Sequence, residues 1–471
     1  MQLVSFGFLI FLPIVAAISF VLPRKFRYIW LLITSFAFYI SIDARYTAVL
    51  VISILTTYLA GLFIEKKRDN KAFANAMFIV CLLVNVGILL GFRCAGLLAG
   101  ANIVAPVGIS FYALKAISYL IDVKRGDIKA EKNLAGYALY VSFFTQVISG
   151  PIERAGNMLS QFYFPVTVDF YRLRDGFLQM LWGYFLKLVL ADRMAIFVNS
   201  VYANPMEGTI TFIATILYTF EIYCDFAGYS HIAIGAASIL GIDVMKNFDS
   251  PYLSGSIAEF WRRWHISLSS WLRDYVYIPL GGNRKGIVRK YINILIVFAV
   301  SGIWHGIGLT LLIWGMLHGL FQVVGYMMKP VRDGFIKVFD VNRESFSHRV
   351  LKIVVTFLLV NFAWIFFRAD SIAMALDIVK KSMYVTPWVL TDGSLFRQGL
   401  DQANMLVLFV GIIIVTLADI AGYKGIVVRE KVMNLGIVLR WGIIIGTILV
   451  IFLCGIWGPG YDAASFIYQQ F

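Results

Sequence analysis

Continuous apolar runs, each closed by a short polar or basic break, recur along almost the whole chain. They cover residues 3–22, 28–42, 46–64, 72–92, 104–121, 135–148, 176–190, 209–226, 292–304, 309–327, 351–367, 405–421 and 438–454. A helix rises 1.5 Å per residue, so about twenty apolar residues cross a hydrocarbon core of roughly 30 Å. The pattern predicts an all-α polytopic membrane protein with about eleven true spans, the shorter windows being re-entrant or tilted. A β-barrel does not fit, because its strands alternate apolar and polar positions whereas these runs are uninterrupted.

Two stretches break the pattern. The longer, 245–290, carries Trp, Arg and Ser/His side chains at helical spacing between Ala258 and Tyr275 and ends on the turn sequence Pro279-Leu-Gly-Gly-Asn283. It reads as an interfacial or re-entrant amphipathic helix. The other, 329–348, has mixed charges and reads as a solvated connection. Residues 1–22 are read as the first membrane helix and not as a signal peptide, since no basic segment precedes a run that is longer than such peptides use.

Composition supports this reading: 60% of the 471 residues are hydrophobic and 14% charged, with a mean hydropathy of +0.79. No water-soluble fold hides that much apolar surface. The net charge of +14 is unevenly placed. Arg24, Lys25 and Arg27 follow the first run, a basic segment at 65–71 follows the third, and Lys124, Arg125, Lys129 and Lys132 follow the fifth. By the positive-inside rule these loops face the cytoplasm and the N-terminus lies outside. Cys81, Cys94, Cys224 and Cys454 are scattered without metal-ligand spacing, and no internal repeat is visible.

The candidate chemistry lies in Ser301-Gly-Ile-Trp-His305-Gly-Ile-Gly-Leu-Thr-Leu-Leu-Ile-Trp-Gly-Met-Leu-His318, two imidazoles within one apolar run, and in His265 forty positions earlier. An ionisable side chain at membrane depth costs several kcal/mol (roughly 2.5–3.5 on insertion scales for full charges) unless it has a partner or a watered cavity, which marks it as functional by default. A neutral imidazole can take a proton from a hydroxyl and return it to a thiolate, as acyl transfer from a thioester requires.

Seven strings together resemble one family. They are Pro106-Val-Gly-Ile-Ser-Phe-Tyr112, Gln146-Val-Ile-Ser-Gly-Pro-Ile-Glu-Arg154, Glu221-Ile-Tyr-Cys-Asp-Phe-Ala-Gly-Tyr-Ser230, Asn247-Phe-Asp-Ser-Pro-Tyr252, Phe260-Trp-Arg-Arg-Trp-His-Ile-Ser-Leu-Ser269, Tyr277-Ile-Pro-Leu-Gly-Gly-Asn283 and Ser301-Gly-Ile-Trp-His-Gly306. In this order they resemble the membrane-bound O-acyltransferases, in the bacterial polysaccharide-acetylating branch typified by alginate O-acetyltransferase. The resemblance implies helices around a central funnel through a thinned membrane, with residues 1–460 as the acyltransferase domain. It implies that His305 is the intramembrane catalytic histidine and that His265 occupies a second polar site, although Trp264-His265 also suits an interfacial anchor. His318 matches a less central position, for which core packing is the plainer reading.

Further candidates are Tyr112, Asp225, Arg262, Arg263 and Trp304 on the substrate and donor side, with Glu153, Arg154, Tyr223, Arg273 and Asp274 behind them. Asp225 is placed to orient another group. Arg262 and Arg263, or the basic run 284–290, suit coenzyme A phosphates or, equally, lipid headgroups. The tail 461–471 contains Phe466-Ile-Tyr468-Gln-Gln-Phe471, which resembles the F-x-Y-x-x-F tail of the related D-alanylation machinery and implies an acyl relay on Tyr468; an aromatic interfacial anchor is the other reading.

The activity so implied takes acetyl from acetyl-CoA, with no bound cofactor or metal, and delivers it across a bacterial inner membrane to an extracytoplasmic polysaccharide. The implied partners are a periplasmic SGNH/esterase-like acetyltransferase with a catalytic serine and the polysaccharide synthesis or export machinery; nucleic acid has no place. The rivals are a D-alanyl transferase of the teichoic acid type or, within the same family, an acyltransferase of lipid or protein, and, of another class, a transporter of lipid-linked sugars. The transporter would show a repeated half.

Overall fold

A computed structural model describes residues 1–98 and 105–456, and the described residues are helical with no strand. Tyr468 and the rest of the tail lie outside the described residues.

Helices in chain order are α1 (Phe6–Val21), α2 (Arg24–Asp43), α3 (Thr47–Lys66), α4 (Lys71–Leu98), α5 (Ile109–Arg125), α6 (Leu134–Ser142), α7 (Ala155–Tyr163) and α8 (Phe170–Tyr184). A π-turn, Phe185–Ala191, leads into α9 (Asp192–Ala203) and α10 (Thr209–Ile239). Then follow α11 (Ile257–Arg263), α12 (Ile266–Leu272), α13 (Ile287–His305), α14 (Leu309–Met327), α15 (Lys329–Val338), α16 (Phe346–Arg368), α17 (Ile372–Ser382), α18 (Gln402–Tyr423), α19 (Val428–Met433) and α20 (Ile437–Cys454).

Among the described residues nine helices have the length and apolar composition to cross a membrane: α2, α3, α4 (to Cys94), α10, α13, α14, α16, α18 and α20. The protein is a multi-pass membrane protein. On α18 and α20 the outward positions are apolar, with Leu406, Phe409, Leu417, Leu439 and Leu453 all more than half exposed. In water such faces would aggregate; in lipid they need no cover.

The departures from the expected spans have physical causes. The run 135–148 yields only the nine residues of α6, because the chain leaves the helix at Phe143 (φ −52°, ψ 117°) and proceeds in turns. These residues are apolar because protein surrounds them: Tyr137, Leu139, Tyr140, Val141, Phe143, Phe144 and Val147 are fully buried. The stretch read as one amphipathic helix is instead two, α11 and α12, separated at Trp264-His265. The connection 329–348 also contains a helix, α15, none of whose residues is buried; Val331, Phe335 and Val338 are exposed beside its charges.

The described chain forms two compact units. The first comprises Met1–Gly183 with Tyr229–Lys246. Its core is aromatic, with Phe8, Phe38 and Phe144 within 6.3 Å of one another by ring centroids. Three buried phenols donate within this unit: Tyr39 to the Val107 carbonyl at 2.9 Å, Tyr58 to Lys132 O at 2.6 Å and Tyr137 to Thr57 Oγ1 at 2.7 Å. Arg27 is buried and donates from Nε to Ser19 Oγ and from Nη2 to the Leu240 carbonyl.

The second unit comprises Tyr184–Gly228 and the described residues from Asn247 onward. Its centre is the antiparallel pair α13 and α14, joined by Gly306-Ile307-Gly308. Glycine permits their close approach. A Cβ on Gly302 would meet the Leu311 carbonyl oxygen at 2.6 Å, and one on Gly315 would collide with that of Phe298. Gly315→Val should therefore part the two helices at a cost of about 1–3 kcal/mol, the range for overpacking. A fall in the thermal transition of detergent-purified protein, with reduced turnover, is the expected result; a variant as stable as the parent would show that the pair tolerates separation.

Candidate active site

All three candidate histidines of the second unit are buried, with His265 and His318 fully enclosed and His305 2% exposed. Each is delivered by a different local device. His305 is the last residue of α13, beyond which Gly306 adopts an extended backbone that ends the helix. His318 lies in the third turn of α14, on the face that also carries Trp314. His265 sits between α11 and α12 with φ 42° and ψ 55°, a left-handed conformation that few non-glycine residues adopt and that often marks functional sites.

Tryptophans join them. Trp304 lies 4.7 Å from the His305 ring and 6.0 Å from that of His265. Trp314 stands edge-on to His305 at 4.9 Å and to His318 at 5.3 Å. One indole therefore separates each successive pair in the order His265, His305, His318. Around this line stand Phe226 against His265 at 4.6 Å, Phe367 against His305 at 5.2 Å, and Phe260 and Trp261 against His318 at 6.1 and 5.1 Å. Trp364 stacks on Trp314 and touches Trp264.

Hydrogen bonding distinguishes His265 from His318. His265 Nδ1 lies 3.1 Å from Asn247 Oδ1, and burial pushes this imidazole down to about 3, so it stands neutral. His318 makes no hydrogen bond among the described residues with either ring nitrogen and is surrounded by aromatic rings.

Asp225 pairs with Lys187. The Lys187 ammonium lies 2.6 Å from Asp225 Oδ1 and 2.7 Å from Asp192 Oδ1, all three side chains being at most 8% exposed. The π-turn Phe185–Ala191 carries Lys187 immediately before α9, which Asp192 opens.

The two arginines separate. Arg263 is engaged by Glu259 at 3.1 Å and Asp249 at 3.3 Å and lies over the Tyr423 ring, so its charge is already committed within the protein. Arg262 is exposed. Tyr112 belongs to the first unit, buried on α5 beside Tyr39. There too Glu153 accepts from Asn157 Nδ2 at 2.9 Å and from the Met245 amide, while Arg154 donates to the Ile152 carbonyl. Tyr223 donates to Asp419 at 2.9 Å, and Arg273 and Asp274 pair on the surface. Sequence reading did not single out Asn247, Trp314 or Phe367; the Asn247-Phe-Asp-Ser-Pro-Tyr252 string was the available signal for the first.

Residues 129–367 match the model of the membrane-bound O-acyltransferase family. Among curated proteins the chain is similar to the probable alginate O-acetylase AlgI of Pseudomonas fluorescens, 33% identical across 88% of this chain and 80% of that protein. It is similar to the peptidoglycan O-acetyltransferase of Helicobacter pylori, 32% identical across 75% of this chain and 73% of its relative. It is more distantly similar to the teichoic acid D-alanyltransferase of Bacillus subtilis, 26% identical across 56% of this chain and 69% of that enzyme. A line of buried histidines in a polytopic helical protein with these relatives leads to one conclusion: the chain belongs to the membrane-bound O-acyltransferase family and is an O-acyltransferase.

Proposed function

We propose that the protein takes acetyl from acetyl-CoA on the cytoplasmic side of a bacterial inner membrane and passes it outward for O-acetylation of an extracytoplasmic polysaccharide. The N-terminus lies outside, following the basic loops after the first, third and fifth apolar runs. The observation that carries the reading is His305, a titratable ring buried at the end of a membrane-spanning helix and one indole away from the neutral His265. His305 acts as general base. It takes the proton of the acceptor hydroxyl as that oxygen attacks the thioester carbonyl; the carbon–sulfur bond then breaks and the thiolate leaves as the CoA thiol with that proton.

Tyr468 is the acceptor in the relay form of this scheme. Its phenyl ester is more activated than an alkyl ester, so a periplasmic esterase-like partner with a catalytic serine takes the acetyl group and hands it to the sugar. Acetyl is favoured over D-alanyl because the two acetylating relatives are more similar to the chain and cover more of it than the D-alanyl transferase does.

The test is to incubate purified protein with radiolabelled acetyl-CoA and locate the label by mass spectrometry. Label on Tyr468 that disappears in Tyr468→Phe is the expected result. Thioester turnover with an unlabelled tail would remove the relay and keep the acetyltransferase, and absence of turnover with the polysaccharide partner present would overturn acetyl-CoA as the donor.

A further inference from the structure

We propose that Asn247 is a positioning residue that fixes the tautomer of His265, so that Nε2 is the nitrogen carrying the lone pair. The inference deepens the proposed acyl transfer and rests on that reading for its kinetic part alone.

The argument begins with which atom of Asn247 faces the ring. The backbone amide of Ser267, a donor in every circumstance, points at Asn247 Oδ1 from 3.2 Å. The Ser267 hydroxyl donates to the same atom at 2.9 Å. That atom must be the amide oxygen, since an NH₂ group there would set donor against donor. An amide oxygen only accepts, and His265 Nδ1 lies 3.1 Å from it. Nδ1 must therefore carry the proton. The second neighbour agrees: the one hydroxyl hydrogen of Ser267 is used on Asn247, so its oxygen, 3.4 Å from Nδ1, can only accept there as well. A neutral imidazole protonated at Nδ1 has its lone pair on Nε2.

The backbone explains why a residue eighteen positions away does this work. His265 occupies the N-cap position of α12 in a left-handed conformation and its side chain makes no cap bond. Asn247 supplies the missing acceptors, taking the Ile266 amide on its carbonyl at 2.9 Å and the Ser267 amide on Oδ1. One residue thus caps the helix and sets the ring, and the unusual turn at His265 carries the imidazole to it.

The first measurement needs no activity. Nitrogen NMR of ¹⁵N-histidine-labelled protein in nanodiscs, with the His265 signals assigned by their loss in His265→Gln, should show Nδ1 protonated and Nε2 bare. The same state should persist in Asn247→Asp and give way to a mixture in Asn247→Ala. In the acyl-transfer assay Asn247→Ala should lower kcat by about 10–100-fold with KM unchanged, the scale on which hydrogen-bond partners of metal-bound histidines act. Asn247→Asp should retain most of the rate, with the acid limb of its pH profile moved upward because the added carboxylate favours the imidazolium. A proton on Nε2 in the parent would overturn the inference outright. A tautomer unchanged in Asn247→Ala would remove Asn247 from the role, and an altered tautomer with undiminished kcat would show that the tautomer does not matter to turnover. Absence of acetyl-CoA turnover in the parent would count against the proposed function while leaving the tautomer measurement standing.

Discussion

Replacing His305 with glutamine is expected to lower acyl transfer by about 10²–10⁴-fold, the range contributed by a positioned general base. Glutamine keeps a polar side chain of similar reach but takes no proton near neutral pH. The ring is enclosed by Trp304, Trp314 and Phe367 at 4.7, 4.9 and 5.2 Å, so the imidazole is fixed by packing and solvent has little access to replace it. Release of CoA thiol from acetyl-CoA, followed with a chromogenic thiol reagent, reads the effect. Thermal transitions of parent and variant should be compared alongside, because a lost aromatic contact alone shifts stability without removing turnover. A folded His305→Gln protein with parental turnover would assign the base to another residue.

Lys187→Met is expected to have the largest effect on stability. It removes the ammonium that Asp192 and Asp225 share at 2.7 and 2.6 Å and takes that charge away from two enclosed carboxylates. Breaking a buried pair by deleting one partner costs about 3–5 kcal/mol, against total stabilities of roughly 5–15 kcal/mol. The variant should be poorly recovered from membranes and should lose its cooperative thermal transition in detergent. Adding Asp192→Asn and Asp225→Asn should restore a large part of the loss, since amides replace the stranded charges. A Lys187→Met protein as stable as the parent, or a triple variant no better than the single one, would show that the pair does not hold this region together.

Membrane class was legible because it depends on local composition: a run of twenty apolar residues needs no knowledge of its neighbours to be recognised. The same logic marked His305 and His318, whose surroundings in the chain are as apolar as their surroundings in space. The family, too, was carried by short strings, each of which keeps its chemistry within a few positions.

What composition could not separate was an apolar run that faces lipid from one that faces protein. The run 135–148 looked like a span and proved to be a nine-residue helix followed by turns in the core of the first unit. The break at His265 was also hidden, since helical spacing continues across Trp264-His265 and nothing in local propensity announces a left-handed histidine. That conformation is held by hydrogen bonds that Asn247 accepts, and the alignment of His265, His305 and His318 through Trp304 and Trp314 depends on Gly302 and Gly315 bringing α13 and α14 together. The role of Asp225 likewise waited for Lys187, thirty-eight positions away and placed by a π-turn that the pattern did not suggest. The sequence by itself determined the solvent this protein lives in, its family and where its titratable rings lie, because burial in lipid and short motifs are local properties. Which of those rings meet, which nitrogen carries the proton and which charges are paired were decided by the tertiary structure, since each depends on contacts between segments far apart in the chain.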